Sequence, residues 1–187
     1  MISISAPDKH GFCSIGPGVD HIPTIKNNAK LIIAQMNKNL PRVMGNSFVH
    51  LRDVDIIVEE DRPIPELPGA PITDVERKIG EYCASLVNDG DTLQLGIGGI
   101  PDAVVTFLKD KKDLGLHTEM AADGIVDLIE AGIINNKKKT LHPGKCIATF
   151  AAGSQRLYDF LDDNPNFELH GVDYVNDPNV IALNDNM

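Results

Sequence analysis

Pro63, Pro65, Pro68 and Pro71 fall within nine positions of the stretch EEDRPIPELPGAP. Proline has no backbone N–H and restricts the residue before it, so this piece can be neither helix nor central strand. It reads as a linker, residues 63–71, crossing between two folded parts at 1–62 and 72–187. Every regular element must lie on one side of it or the other.

Before the linker the chain reads as strand, turn and strand. Ile2 to Ser5 alternates apolar and polar, Asp8-Lys9-His10-Gly11 turns, and Leu31 to Met36 and Val54 to Val58 are short apolar runs. After it the pattern becomes regular. Thr73 with Glu76 is a capping-box pair, and Val75, Ile79, Tyr82, Cys83 and Leu86 recur at helical spacing up to about Val87. Then follow a strand at Thr92 to Leu95, a helix from Pro101 to about Leu108, a strand at Leu116 to Glu119 and a helix from Asp123 to about Glu130. A strand at Cys146 to Phe150, a helix from Ser154 to Leu161 and a strand at Phe167 to His170 complete the series. Such alternation predicts an α/β fold with open, mostly parallel sheets and flanking helices.

The formal net charge of -10 and a pI of about 4.9 set the overall field against nucleic acid and against an anionic membrane surface. Small-molecule chemistry fits that balance better. Cys13, Cys83 and Cys146 lie far apart with no C-x-x-C spacing, which suggests neither a disulfide scaffold nor a structural zinc site and points to a reducing, cytoplasmic compartment. No apolar run approaches the roughly 20 residues that span a bilayer. The chain starts in strand-like alternation and stops at PNVIALNDNM without a polar tail, so both ends read as cut from something longer.

The stretch QLGIGGIPD, Gln94 to Asp102, carries the sharpest chemical signal. A turn without side chains at the carboxyl end of a parallel strand lets a ligand approach the backbone, and the next helix offers unpaired N–H groups. Gly96, Gly98 and Gly99 supply the turn, and Pro101 reads as the first helical residue, where its missing N–H costs nothing. The turn suits a phosphate, a carboxylate or a carbonyl oxygen gaining charge; its bland reading is a tight connection. A dinucleotide-binding module is the rival: Gly96-x-Gly98 follows a strand and Glu119 lies about twenty residues on. Pro101, however, stands where that fingerprint needs a third glycine.

Other residues have bland readings beside their functional ones. Glu119 could act in acid–base chemistry or accept N–H groups of the next turn, and Asp123 reads as a helix N-cap. His10 with Cys13, and His142 with Cys146, are pairs lacking a third partner, and read as turn histidines and packed thiols rather than ligands. The run Lys137-Lys138-Lys139 reads as a solvated turn, with the phosphates of a nucleotide-like cofactor as its alternative.

Taken in order, APDKHGFCSIG, NLPRVMGNSFVH, LQLGIGGIPDAV, HTEMAADGIVDLIEAG, KKKTLHPGK and VDYVNDPNVIALNDN resemble the acetyl-CoA hydrolase/transferase family, in its 4-hydroxybutyrate or butyrate–acetate CoA-transferase branch. The resemblance covers essentially the whole chain. It implies two α/β domains of the CoA-transferase (NagB/RpiA-like) type, with residues 1–62 closing the first and 72–187 opening the second. It implies a ping-pong exchange of coenzyme A between an acyl-CoA and a short-chain carboxylate through a glutamyl-CoA thioester, acyl-CoA being a substrate rather than a permanently bound cofactor. A homo-oligomeric parent is also implied.

By the same resemblance, Gly96, Gly98, Gly99 and Ile100 form the active-site turn. Val172, Asp173, Tyr174, Val175 and Asn176 correspond to a stretch that contacts coenzyme A, or else to a strand end closed by Asp177-Pro178. The family's glutamate follows the NDNM segment, and no glutamate here, Glu119, Glu130 and Glu168 included, stands at that position. No catalytic residue is therefore assigned, and the isolated chain is expected to be inactive: an inner piece of a CoA-transferase. A piece that folds only with a partner chain is the remaining alternative.

Overall fold

A computed structural model describes residues 1–67 and 69–187; Pro68, in the proline-rich linker, lies outside the described residues. The first part holds β1 (Ile2–Ile4), β2 (Phe12–Ser14), α1 (Ile22–Asn28), β3 (Ile33–Met36), β4 (Met44–Gly45), β5 (Phe48–His50), a single 3-10 turn and β6 (Ile56–Glu59). The second holds α2 (Asp74–Leu86), β7 (Thr92–Leu93), α3 (Gly99–Thr106), β8 (Gly115–Leu116), β9 (Met120–Ala121), α4 (Gly124–Glu130), β10 (Cys146–Ala148), β11 (Phe150–Ala151), α5 (Gln155–Leu161), β12 (Phe167–Leu169), α6 (Val172–Val175) and α7 (Pro178–Ile181).

Parallel pairing dominates, as the alternation predicts. β1, β3 and β6 form one parallel sheet in that order. A second run is built around β10-β12-β4 and extended by β7-β8 through a parallel bridge between His117 and Ile147. The order across it is thus β7, β8, β10, β12, β4, with β9 and β11 continuing β8 and β10 past a break at Thr118 and Thr149. β4 comes from the first part of the chain: Met44 sits opposite Glu168 and Gly45 opposite Leu169. A side chain at Gly45 would run into the Leu169 backbone, and its φ of +99° suits only glycine.

The apolar runs pack into one core. Leu114, Leu116, Leu128, Ile134, Leu157, Leu161, Phe167 and Leu169 are all at most 1% exposed, each contributing roughly 1.5–3 kcal/mol of transfer free energy. The first half of the linker lies near α5, where the Tyr158 hydroxyl donates to the Pro65 carbonyl at 2.9 Å and the Leu67 N–H to the Gly153 carbonyl just before the helix at 2.9 Å.

The Thr73–Glu76 capping box forms in both directions and starts α2 where the sequence places it. The face that α2 buries differs from its apolar stripe. Gly80 and Ala84 turn inward, and a Cβ on Gly80 would lie 2.7 Å from Ala103 of α3, so the two helices touch almost backbone to backbone. Val75 (69%), Tyr82 (62%) and Leu86 (79%) are exposed.

Candidate functional site

The glycine turn sits at the carboxyl end of β7. Thr118, at the break between β8 and β9, holds its base: the hydroxyl accepts the Leu95 N–H at 3.1 Å and lies 2.7 Å from the Leu95 carbonyl. Gly98 takes φ +106° with extended ψ, a combination essentially closed to residues with a side chain, and caps α3 without any side-chain bond. The first N–H groups of α3, on Gly99 and Ile100, therefore have no side-chain acceptor at their cap. Pro101 is the third helical residue rather than the first; it still lies within the first turn, where an absent N–H leaves no helical bond broken. A Cβ on Gly99 would meet the Glu76 carboxylate where its capping bonds to Thr73 hold it, so a side chain there would have to push that carboxylate aside. Ile97 and Ile100 stand half exposed on the turn.

Beside the turn lies a cleft of about 440 Å³, bounded by Ile97 and Gly98, by Asp102 and Val105 of α3, by Ala122 to Gly124 and by Leu67 and Ile72. Burial, reinforced by Asp123 and Glu76, pushes the Asp102 carboxyl above its ordinary range. Asp123 does not cap α4 through its side chain. Its carboxylate accepts the Ser154 N–H at 2.9 Å and the Ser154 hydroxyl at 2.7 Å, tying the end of β9 to the start of α5. Sequence reasoning missed both roles: Ser154 is 31 residues from Asp123, and nothing in the local pattern marks Asp102 as enclosed.

Val172–Val175 form a short helix, α6, with Asn176 as its C-cap, and not the strand end of the alternative reading. Gly171 leads into it in extended conformation, and the Val172 N–H donates to Asp20 at 3.0 Å. The residues from Val172 to Asn176 divide by environment. Val175 is in the core, and its carbonyl lies 2.9 Å from Nε2 of the buried His117; Asp173 is exposed; Tyr174 meets His142 Nε2 at 2.7 Å; and the Asn176 amide donates to the Glu119 carboxylate at 2.9 Å. Glu119 follows Thr118, so neighbouring residues of the break between β8 and β9 hold the glycine turn and the end of α6.

The lysine run divides as well. Lys137 and Lys138 are exposed, but Lys139 is buried, its ammonium donating to the Leu116 and Lys145 carbonyls at 2.8 Å each. Burial lowers its pKa to about 8. Cys13 and Cys146 are buried thiols. Cys146 takes a bond from Asn136 at 3.1 Å and, through burial, is pushed up to about 11. His142 instead faces Glu168 and His170, and these three can present one ligand atom each within 4.8 Å of one another.

Comparison with known proteins agrees with this architecture. The acetyl-CoA hydrolase/transferase N-terminal domain matches residues 1–68 and the C-terminal domain of the same family matches residues 153–187. The chain belongs to the acetyl-CoA hydrolase/transferase family. It is 56% identical over 187 residues to 4-hydroxybutyrate coenzyme A transferase of Clostridium kluyveri, covering all of this chain and 44% of that protein. It is 47% identical over 184 residues to succinyl-CoA:cyclohexane-1-carboxylate CoA transferase of Geobacter metallireducens, covering 98% of this chain and 42% of that one. The crystal structure of 4-hydroxybutyrate CoA-transferase from Porphyromonas gingivalis superposes with a TM-score of 0.95 at 48% identity, over 99% of this chain and 47% of that one. The chain spans less than half the length of the curated relatives it matches. Among the described residues no helix is long and apolar enough to cross a membrane.

Proposed function

We propose that this chain forms part of an acyl-CoA:carboxylate CoA-transferase that moves coenzyme A between short-chain acids by a ping-pong route through a glutamyl-CoA thioester. The observation that carries the proposal is the glycine turn. It lies at the carboxyl end of a parallel strand, Gly98 caps α3 without a side chain, and the Gly99 and Ile100 N–H groups stand at a helix N-terminus. Such donors suit a carbonyl oxygen that gains charge as a thioester or anhydride is attacked. Thr118 fixes the base of the turn, so the donors are held in place before substrate arrives.

Chemistry that passes through two activated carbonyl species needs water kept away. Ile97 and Ile100 give the turn an apolar rim, and the half-exposed Tyr174 and Asn176 offer hydrogen bonds toward the acyl or pantetheine end of the substrate. The nucleophilic glutamate is supplied from outside these 187 residues, so the isolated chain binds without turning over. The same reading places the reaction in the cytoplasm and the complete enzyme in a homo-oligomer. The relatives' names differ in the acid they carry, 4-hydroxybutyrate in one and cyclohexane-1-carboxylate in another, so the acyl group is left general. Isothermal titration with butyryl-CoA and with NAD, followed by thioester exchange with acetate, tests the reading. Binding of the CoA ester without exchange is expected; binding of NAD alone would replace it with a dinucleotide module.

A further inference from the structure

Glu168 lies on β12 and His170 one residue past its end, still bonded to Ala148 of β10, so the twofold alternation about the buried Phe167 and Leu169 puts both on the same face. His142 reaches that face from the loop before β10, the strand paired with β12. It holds a left-handed backbone at φ +50°, uncommon for a residue with a side chain. The His142 and His170 rings are 5.5 Å apart, and Tyr174 of α6 lies 5.6 to 5.7 Å from each. Glu168 Oε2 faces His170 Nε2 at 3.0 Å, while its other oxygen is anchored by Lys145 at 3.0 Å.

We propose that His142, Glu168 and His170 form a site for a zinc-class divalent cation. Two imidazole nitrogens and one carboxylate oxygen are the donor set that suits zinc, cobalt or nickel rather than magnesium or calcium. The three donor atoms lie within 4.8 Å of one another; closing on an ion at about 2 Å brings them to roughly 3.4 Å, which small side-chain rotations achieve. The ion takes the place of the Nε2 proton that His170 shares with Glu168; the ring then binds as its neutral Nδ1–H tautomer, and only a proton beyond that one passes to solvent. Lys145 on the far carboxylate oxygen orients the ligand from behind, as outer partners of metal sites do. A water completes the coordination, and the Tyr174 hydroxyl, 2.7 Å from His142 Nε2, stands beside the site. The site joins the loop before β10 to β12 and sits against α6. It is independent of the CoA-transferase reading.

The test is titration of the full 187-residue chain with Zn²⁺ by calorimetry and with Co²⁺ by visible absorption. The chain has three tyrosines and no tryptophan, so quenching of tyrosine emission by Co²⁺ reports an ion near Tyr174. Expected are one equivalent bound, the visible bands of a low-symmetry cobalt site, and quenching lost in Tyr174→Phe while affinity persists. His142→Ala and His170→Ala should each weaken binding at least tenfold with circular dichroism unchanged; where either fails to fold, His142→Gln and Glu168→Gln serve instead. No binding, or affinity unchanged in the folded variants, overturns the site and assigns these residues to a hydrogen-bonded cluster alone. No CoA ester enters the measurement, so its outcome stands apart from that of the preceding proposal.

Discussion

The side-chain amide of Asn176 donates to the Glu119 carboxylate at 2.9 Å, linking the end of α6 to the break between β8 and β9 that also carries Thr118. The pair is accessible to water, so its contribution is about 1 kcal/mol or less. Asn176→Ala should cost about 0.5 kcal/mol and Asn176→Asp, which sets two carboxylates face to face, about 1–2 kcal/mol by urea midpoint. The Asp variant should recover at a pH low enough to protonate the pair. Equal losses in both variants at every pH would show that the bond is incidental.

Gly98 and Gly99 should respond differently to alanine. At Gly98 there is open space around the missing Cβ, but φ is +106°, so Gly98→Ala costs about 1–3 kcal/mol through the backbone alone. At Gly99 the obstacle is the Glu76 carboxylate. The loss in Gly99→Ala should therefore shrink when Glu76→Ala is combined with it, whereas Glu76→Ala and Gly98→Ala should simply add. Double-mutant cycles by chemical denaturation distinguish the two.

Lys139, 4% exposed, gives the fold a specific alkaline profile. Its folded pKa of about 8 lies below the ordinary 10.5, so between those values the unfolded chain binds more protons and stability rises with pH. Cys146 runs the other way. Its thiol is raised from 9.0 to about 11, so across that window the unfolded chain has already lost the proton and stability falls. The two together predict a rise from about pH 8 to 9, a plateau to about 10.5 and a decline above it. Cys146→Ala should prolong the rise, and denaturation midpoints measured from pH 7.5 upward would show it.

Asp102 carries the opposite sign to an ordinary paired carboxylate. Burial raises its pKa, so the folded chain binds the extra proton above 3.8 and stability falls as pH climbs through that window. Asp102→Asn should raise the melting temperature at neutral pH by on the order of 2 °C and flatten the acid limb. A lower melting temperature at neutral pH would mean that the carboxylate has a partner.

Local signals carried far in this sequence, and signals across distance did not. Thr73 and Glu76 mark the start of α2 because a capping box is made within three residues. The glycine turn, too, is visible as a strand, a cluster of glycines and a proline. The side of α2 that faces inward was hidden, because it is made of the small residues Gly80, which lies against Ala103, and Ala84, while Val75, Tyr82 and Leu86 face out. Lys139 looks like its two exposed neighbours until the Leu116 and Lys145 carbonyls arrive around it. Val172 to Val175 fold as α6 for a similar reason: the Val172 N–H and the Val175 carbonyl find partners on Asp20 and His117, which only the folded chain brings near.

The place of β4 bears on how the chain is made. Met44 and Gly45 pair with β12, and nearby Arg42 N–H reaches the Asp162 carboxylate across 120 residues of sequence. During synthesis this strand leaves the ribosome long before its partner exists and waits with its backbone unpaired. Closing the sheet edge is therefore a late event with a large loop-closure cost, and the nascent chain spends that interval exposed to pairing with a neighbour's strand instead of its own.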